Sequence, residues 1–385
     1  MASNDQFSWG REQDNAGLDR DLPVDRYMLV AVLGLVLFGL VMVFSASAVL
    51  AQKRYGSEYY FLIRQGIWAV VGLAAMTVAI KVDYRYLKQP AIVLGLLSAA
   101  LLMLVSLFFL QKLNGTHRWI RFGQASLQPS EIAKVALICY MAYFVDRRGE
   151  EFDSLLRGFL PVVIVAAVVI GLIAAEPDLG TALSVAVIFG VAMFAAGVKV
   201  RHLALLSIPA LPVLAYMLLF VPWRFQRVMD FLEPWKNQTT SGFQTVQALI
   251  AIGSGGTTGL GLAEGRQKLF YLPAPHTDFI FAVIGEELGL IGSLAIVLIF
   301  GLLAWRGFKA AKSAPDRFGQ LLAVGITTMI VAQAFFNMSV ALALVPTKGI
   351  PLPFISAGGS SLAINLIAAG ILLNVSKHEV SREWG

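Results

Sequence analysis

A single cysteine, Cys139, is the only thiol among 385 residues, so no disulfide can form within this chain. Charge is scarce as well: 14% of the residues are Asp, Glu, Lys or Arg, against 57% hydrophobic. Soluble domains carry roughly a quarter charged residues, so a water-exposed globular fold is excluded. The tract Gly253-Ser-Gly-Gly-Thr-Thr-Gly-Leu-Gly261 lacks the Gly-Lys-Ser/Thr ending of a nucleotide loop. His276 and Asp278 lack a third ligand that would make a metal site. No secretory signal is expected either. Ser45-Ala-Ser-Ala48 mimics a cleavage site, but the apolar run before it is too long.

What the chain has instead is long apolar runs. Ten segments qualify as membrane crossings: 27–51, 61–80, 90–110, 129–147, 157–175, 180–198, 202–221, 279–306, 318–345 and 354–377. Each crossing needs roughly 17–25 residues to span about 30 Å of hydrocarbon. The expected fold is an all-α polytopic membrane protein with ten transmembrane helices. A large loop, 222–278, separates the seventh from the eighth. Residues 1–26 and 378–385 are expected as tails flanking a single membrane domain, 27–377, the first of them polar and disordered.

The net charge of +6 would suggest nucleic acid in a soluble protein, but its distribution points to a lipid bilayer. With the N-terminus inside, the inner segments carry Arg11, Arg20, Arg26, Lys81, Arg85, Lys88, Arg147, Arg148, Arg157, Lys199, Arg201, Arg306, Lys309, Lys312, Arg317, Lys377 and Arg382. The short outer loops carry only Lys53, Arg54, Lys112, Arg118, Arg121 and Lys348. That bias places both termini in the cytoplasm and the long loop outside. Membrane lipids, not nucleic acid, are the expected surroundings.

This topology sends the unusual residues to one side. Glu131 and Lys134 lie near the outer end of the fourth segment. Glu176, Pro177 and Asp178 form the connection after the fifth, Asp278 opens the eighth, and Lys348 sits in the turn before the tenth. Acids at membrane depth are costly and are functional candidates by default. Two readings fit Asp278: a cap on the eighth helix, or a general base, which gains from a raised pKa. Glu286, about 80° around and roughly 12 Å along the helix, is placed to raise that pKa. Glu287 faces the opposite way, towards a neighbouring helix. Glu131 and Lys134 read either as an ion pair or as site residues. Four cations on one outer surface suit an anionic ligand such as pyrophosphate. The long loop is rich in aromatic and apolar residues, so it is expected to be folded, with 243–252 as an interfacial helix.

Motifs then carry a resemblance over essentially 27–377. They are Arg118-Trp-Ile120, Gln128-Pro-Ser-Glu-Ile-Ala-Lys134, Pro177-Asp-Leu-Gly-Thr181, Gly253-Ser-Gly-Gly256, Leu272-Pro273 with His276-Thr-Asp-Phe-Ile-Phe281, Glu286-Glu-Leu-Gly289, and Gly349-Ile-Pro-Leu-Pro-Phe-Ile-Ser356 with Gly358-Gly-Ser-Ser361. In these the chain resembles the SEDS proteins (shape, elongation, division and sporulation), peptidoglycan glycosyltransferases typified by FtsW and RodA. Val43-Phe-Ser-Ala-Ser47 and Arg266-Gln-Lys-Leu-Phe-Tyr-Leu-Pro273 look more like the FtsW and SpoVE branch. Three positions depart from the family pattern: Glu176 replaces Gln, Ala357 replaces Tyr, and Ala274-Pro275 replaces Glu-Ala or Glu-Arg.

The resemblance implies polymerisation of lipid II into β-1,4 glycan at the outer leaflet of the bacterial cytoplasmic (inner) membrane, for septal synthesis in cell division. Asp278 matches the family's essential aspartate and would take the proton from the acceptor 4-hydroxyl, with inversion at the donor. Arg118, Glu131, Lys134, Asp178, His276, Glu286, Lys348, Ser356, Gly358, Gly359 and Ser360 are implied on the substrate side. No cofactor is required, though a divalent cation would suit the pyrophosphate. The implied partners are a class B penicillin-binding protein, a transpeptidase, and other division proteins. A lipid II flippase, a RodA-type elongation polymerase and a non-catalytic scaffold are the alternatives.

Overall fold

The structure is a computed structural model describing residues 23–110, 118–123, 125–149, 158–238, 242–269 and 271–378. The expected tails up to residue 22 and from 379, together with Lys112 and Arg157, lie outside the described residues. Twelve α-helices are present among the described residues: α1 (Arg26–Tyr55), α2 (Tyr60–Lys81), α3 (Pro90–Leu107), α4 (Pro129–Arg148), α5 (Leu160–Ala175), α6 (Leu179–Ala195), α7 (Val200–Leu219), α8 (Pro222–Leu232), α9 (Phe243–Gly255), α10 (Ile280–Ser313), α11 (Arg317–Ala341) and α12 (Ser360–Lys377). One departure from an all-α fold stands before α4. It is a β-hairpin of β1 (Ile120–Phe122) and β2 (Ala125–Leu127), antiparallel, with Arg121 opposite Ser126. A three-residue strand was invisible to periodicity, which needs longer runs.

Local chemistry sets many of the helix ends. Proline opens α3, α4 and α8, where its missing N–H costs nothing. Asp25, Asp178 and Asp316 cap α1, α6 and α11 through the backbone amides of Met28, Thr181 and Gly319. Gly56 closes α1 in the left-handed region, φ 74°.

Seven of the described helices (α1, α2, α3, α7, α10, α11 and α12) are long and apolar enough to cross a membrane; α5 and α6 are apolar but shorter. α4 carries Glu131, Lys134, Asp146, Arg147 and Arg148. The outer faces of α2 and α10 expose Ile63, Ile67, Val70, Leu290, Ile291, Leu294 and Leu298, an apolar surface far larger than a soluble protein tolerates. The chain is a multi-pass membrane protein. α11 and α12 form its centre, α12 packed on α2 and α11 on α10, α4 and α6. α7 stands at the edge with none of its most apolar window buried.

The long loop is folded. Its helix α9 exists, as expected from 243–252, but it buries Thr245, Val246, Ala248 and Ala251 against α10 instead of lying free at an interface. α10 itself breaks at Gly289, φ 64° and ψ −159°. The freed backbone groups are recovered by the glycine tract. Leu260 and Gly261 amides donate to the carbonyls of Glu286 and Glu287 (3.0 Å each), and Leu290 and Ile291 amides donate to Gly256 and Thr257. Irregular backbone among apolar helices survives only when other protein groups satisfy it. A β-carbon at Gly259 would collide with the Glu287 carbonyl, so the tract's glycines serve this close approach.

Candidate active site

The connections after α5 and α11 and the segment before α10 meet at one end of the bundle. The other end gathers different contacts: Asp25 with Arg306, Tyr84 with Asp316, and Asn374 with Ile80.

Asp278 sits in the segment 276–278, which is pinned through three successive carbonyls. His276 O accepts from Ala357 N (2.9 Å), Thr277 O from Ser356 Oγ (2.6 Å), and Asp278 O from Asn337 Nδ2 (2.8 Å). The carboxylate lies over Gly349, where a β-carbon would stand 2.8 Å from Oδ2. Asp278 is not a helix cap: the N-cap position of α10 is Phe279, and no side chain caps it. The conflict between capping and basicity therefore disappears. Loss of solvation raises the Asp278 carboxyl to about 6, with Asp178 adding to the rise and Arg118 and Arg227 opposing it.

Four cations share this neighbourhood. Arg118 donates to Pro177 O (2.6 Å) and lies 3.6 Å from Asp178 Oδ2. Arg227 donates to Thr347 O (3.2 Å). Arg224 is buried, with Nε unpartnered in the protein. Lys348 is half-buried, and burial lowers its ammonium to about 7, with Asp178 opposing and the three arginines adding. The arginines of α8 were missed in the sequence because the positive-inside rule discards long loops. Their signal was there in Trp223-Arg-Phe-Gln-Arg227, a helix turn with Arg at i and i+3 beside Trp.

The other expected site residues have their own partners. Lys134 Nζ pairs with Glu131 (2.9 Å) and donates to Gln333 Oε1 (2.6 Å), both charged groups being buried. Glu286 does not tune Asp278. Its carboxylate accepts from the amides of Arg266 (2.7 Å) and Gln267 (3.1 Å), which clamps the loop. Glu287 does reach a neighbouring helix: Ser45 of α1 donates to it at 2.7 Å, and Lys268 pairs with it at 2.6 Å. Asp178 caps α6 and bonds Thr181 Oγ1 (2.9 Å). His276 packs on Phe61, ring centroids 4.3 Å apart, and burial lowers its imidazole to about 4, so it is neutral at pH 7. Ser356 Oγ is occupied by Thr277 O and Leu352 N. Ser360 Oγ accepts from Gln128 N (3.2 Å), and Gly358 and Gly359, the latter at φ 54°, form the turn into α12.

The Glu176 departure from the family pattern puts a carboxyl beside the site, and burial governs its charge. Glu176 is 1% exposed with Oε1 unpartnered. Burial raises its carboxyl to about 8, Asp178 assisting and Arg118 opposing. At neutral pH it is a neutral acid, similar in shape to Gln. The folded value lies above the unfolded one, so Glu176 penalises folding increasingly as pH rises from about 4.5 towards 8. Glu176→Gln is expected to raise the thermal midpoint, by more at pH 8 than at pH 5, while polymer synthesis stays within about threefold. Equal midpoint shifts at both pH values would overturn this.

Comparison with known proteins follows the geometry. Residues 25–381 match the protein family FtsW/RodA/SpoVE, described as "Cell cycle protein". A Geobacter metallireducens protein, "Probable peptidoglycan glycosyltransferase FtsW", is 46% identical over 360 residues, covering 92% of this chain and 95% of the relative. "Stage V sporulation protein E" of Bacillus subtilis is 40% identical over 355 residues, covering 92% and 97%. A solved chain reported under "Structural coordination of polymerization and crosslinking by a peptidoglycan synthase complex" superimposes with a TM-score of 0.77 at 28% identity, covering 92% and 98%.

Proposed function

The chain belongs to the FtsW/RodA/SpoVE family, and on that premise we propose that it is a septal peptidoglycan glycosyltransferase that polymerises lipid II. The observation that carries this reading is Asp278. It is a carboxylate held by its backbone, raised towards neutrality by lost solvation against the opposing pull of Arg118 and Arg227, with the Lys348 loop meeting it at Gly349. Asp278 takes the proton of the acceptor sugar's 4-hydroxyl as its oxygen attacks the donor's anomeric carbon. The C–O bond to undecaprenyl pyrophosphate breaks, and configuration inverts. Negative charge gathers on the leaving pyrophosphate, where fixed cations stabilise it most. Glu131 and Lys134 act at a distance, through Gln333.

The membrane arrangement proposed is ten spans with both termini in the cytoplasm of a bacterium and the site at the outer leaflet of the inner membrane. Its support is that the connections assigned outside are those that meet at the Asp278 end. A single-pass class B penicillin-binding protein and division proteins are the proposed partners, supported by the likeness to a synthase complex that couples polymerisation and crosslinking. Among the described residues no three His, Cys, Asp or Glu side chains group to hold a metal ion, so no step is assigned to a divalent cation.

The test is purified protein, with and without its transpeptidase, given labelled lipid II. Glycan chains support the enzyme, whereas movement between leaflets without polymer supports a flippase. The pH profile adds a second check. The rate, kcat/KM, rises as Asp278 loses its proton through about 6 and falls as Lys348 loses its own through about 7. Lys348→Arg, always charged, removes the alkaline limb. A limb that persists in that variant would show that Lys348 does not produce it.

A further inference from the structure

The aspartate-bearing segment and the lysine-bearing loop meet at one buried side chain of α11. Asn337 is 1% exposed, and its Nδ2 donates to two main-chain carbonyls at once, Asp278 at 2.8 Å and Ile350 at 2.7 Å. Both partners are acceptors, so the orientation of the amide is fixed by its surroundings. One turn earlier, Gln333 Nε2 donates to Pro351 O at 3.0 Å while its Oε1 accepts from Lys134. Residues at i and i+4 share a helix face. α11 therefore offers two amides to consecutive carbonyls of the loop, and Asn337 alone extends the contact to the aspartate.

Two observations separate this contact from ordinary core packing. Asn337 Oδ1 is buried and has no hydrogen-bond partner among the described residues, so every hydrogen bond of this amide runs from its nitrogen to the two segments. The second observation is the closeness of Gly349 to Asp278 Oδ2. The Ile350 carbonyl held by Asn337 is one residue from that approach, and Lys348 is one residue beyond it. The bridging amide thus sets how the carboxylate stands against the backbone of 348–350.

We propose that Asn337 is a positioning residue for glycosyl transfer, its amide holding the Asp278 segment against the Lys348 loop so that base and cation address one substrate. This inference rests on the polymerase reading. Asn337 touches no reacting atom; it acts through Asp278. A displacement of about 1 Å between such groups can cost about 10²-fold in rate.

The experiment measures kcat, KM and the pH profile of polymerisation for the full-length protein, together with its thermal midpoint. The variants are Asn337→Leu, which removes both donors, and Asn337→Ser, which leaves one. Asn337→Leu is expected to lower kcat about 10²-fold with KM within about threefold. Its acid limb moves from about 6 towards the ordinary carboxylate value as the segment loosens. Asn337→Ser falls between it and the wild type. A kcat within about threefold of wild type, or a loss carried by KM alone with the acid limb unmoved, overturns the proposal. If Asn337→Leu does not purify, Asn337→Ser decides by the same two criteria. Where wild type makes no polymer, the polymerase reading falls and this role falls with it. Where wild type polymerises and the variants match it, only the role of Asn337 falls.

Discussion

Asp278→Asn lowers polymerisation by about 10²–10⁴-fold, the usual contribution of a general base, and leaves the protein inserted and lipid II bound. The side chain keeps its size, so the close approach to Gly349 survives. The anchors of the segment also survive, because Ala357, Ser356 and Asn337 all bond main-chain carbonyls and none bonds the carboxylate. Only the proton acceptor is lost. Binding should hold or tighten, since Arg118 and Arg227 lose an acid that partly neutralises them. The measurement is polymer length and rate from labelled lipid II, alongside substrate retention by the inactive variant. Glycan synthesis near the wild-type rate would sink the role of Asp278, and lost binding at unchanged rate would make it a ligand contact instead.

Apolar run length and charge bias made the helical membrane fold legible, because a bilayer imposes both on sequence. The proposal of Asp278 as the base came through motif resemblance; spacing alone left Asp278 open between cap and base. Partner choice was not legible. Glu286 and Glu287 differ by one residue in sequence, yet one clamps the backbone of 266–267 and the other joins Lys268 and Ser45. Those assignments depend on the break at Gly289 and on a loop that folds back against α10, neither of which has a period. Arg224 and Arg227 were passed over because charge bias is not counted in long loops. They reach the site because α8 folds onto the loop before α12, a contact between segments 120 residues apart.

Lys268→Met is expected to be strongly damaging although it lies away from the reacting groups. Lys268 Nζ bonds Glu287 Oε1 at 2.6 Å, Ala263 O at 2.7 Å and Ser45 Oγ at 3.1 Å, and Glu287 has no solvent exposure. Removing the ammonium leaves a buried carboxylate without a counter-ion, which typically costs about 3–5 kcal/mol, a large part of the roughly 5–15 kcal/mol that holds a domain folded. A fall of about 5 °C or more in thermal midpoint follows. Removing both charges, Lys268→Met with Glu287→Leu, should recover part of the loss. An apolar pair replaces the ion pair without an unpaired charge. Recovery stays incomplete because the Ala263 amide, which donates to Glu287 Oε2 at 3.0 Å, loses its acceptor at about 1–3 kcal/mol. A double variant less stable than Lys268→Met would contradict this account. The pair also fastens the loop that leads to Asp278, so activity should fall in step with stability in Lys268→Met. In Asp278→Asn activity falls without loss of stability, because a neutral side chain relieves the cost of a buried carboxylate raised to about 6, and that contrast separates a group that does chemistry from one that keeps its segment in place.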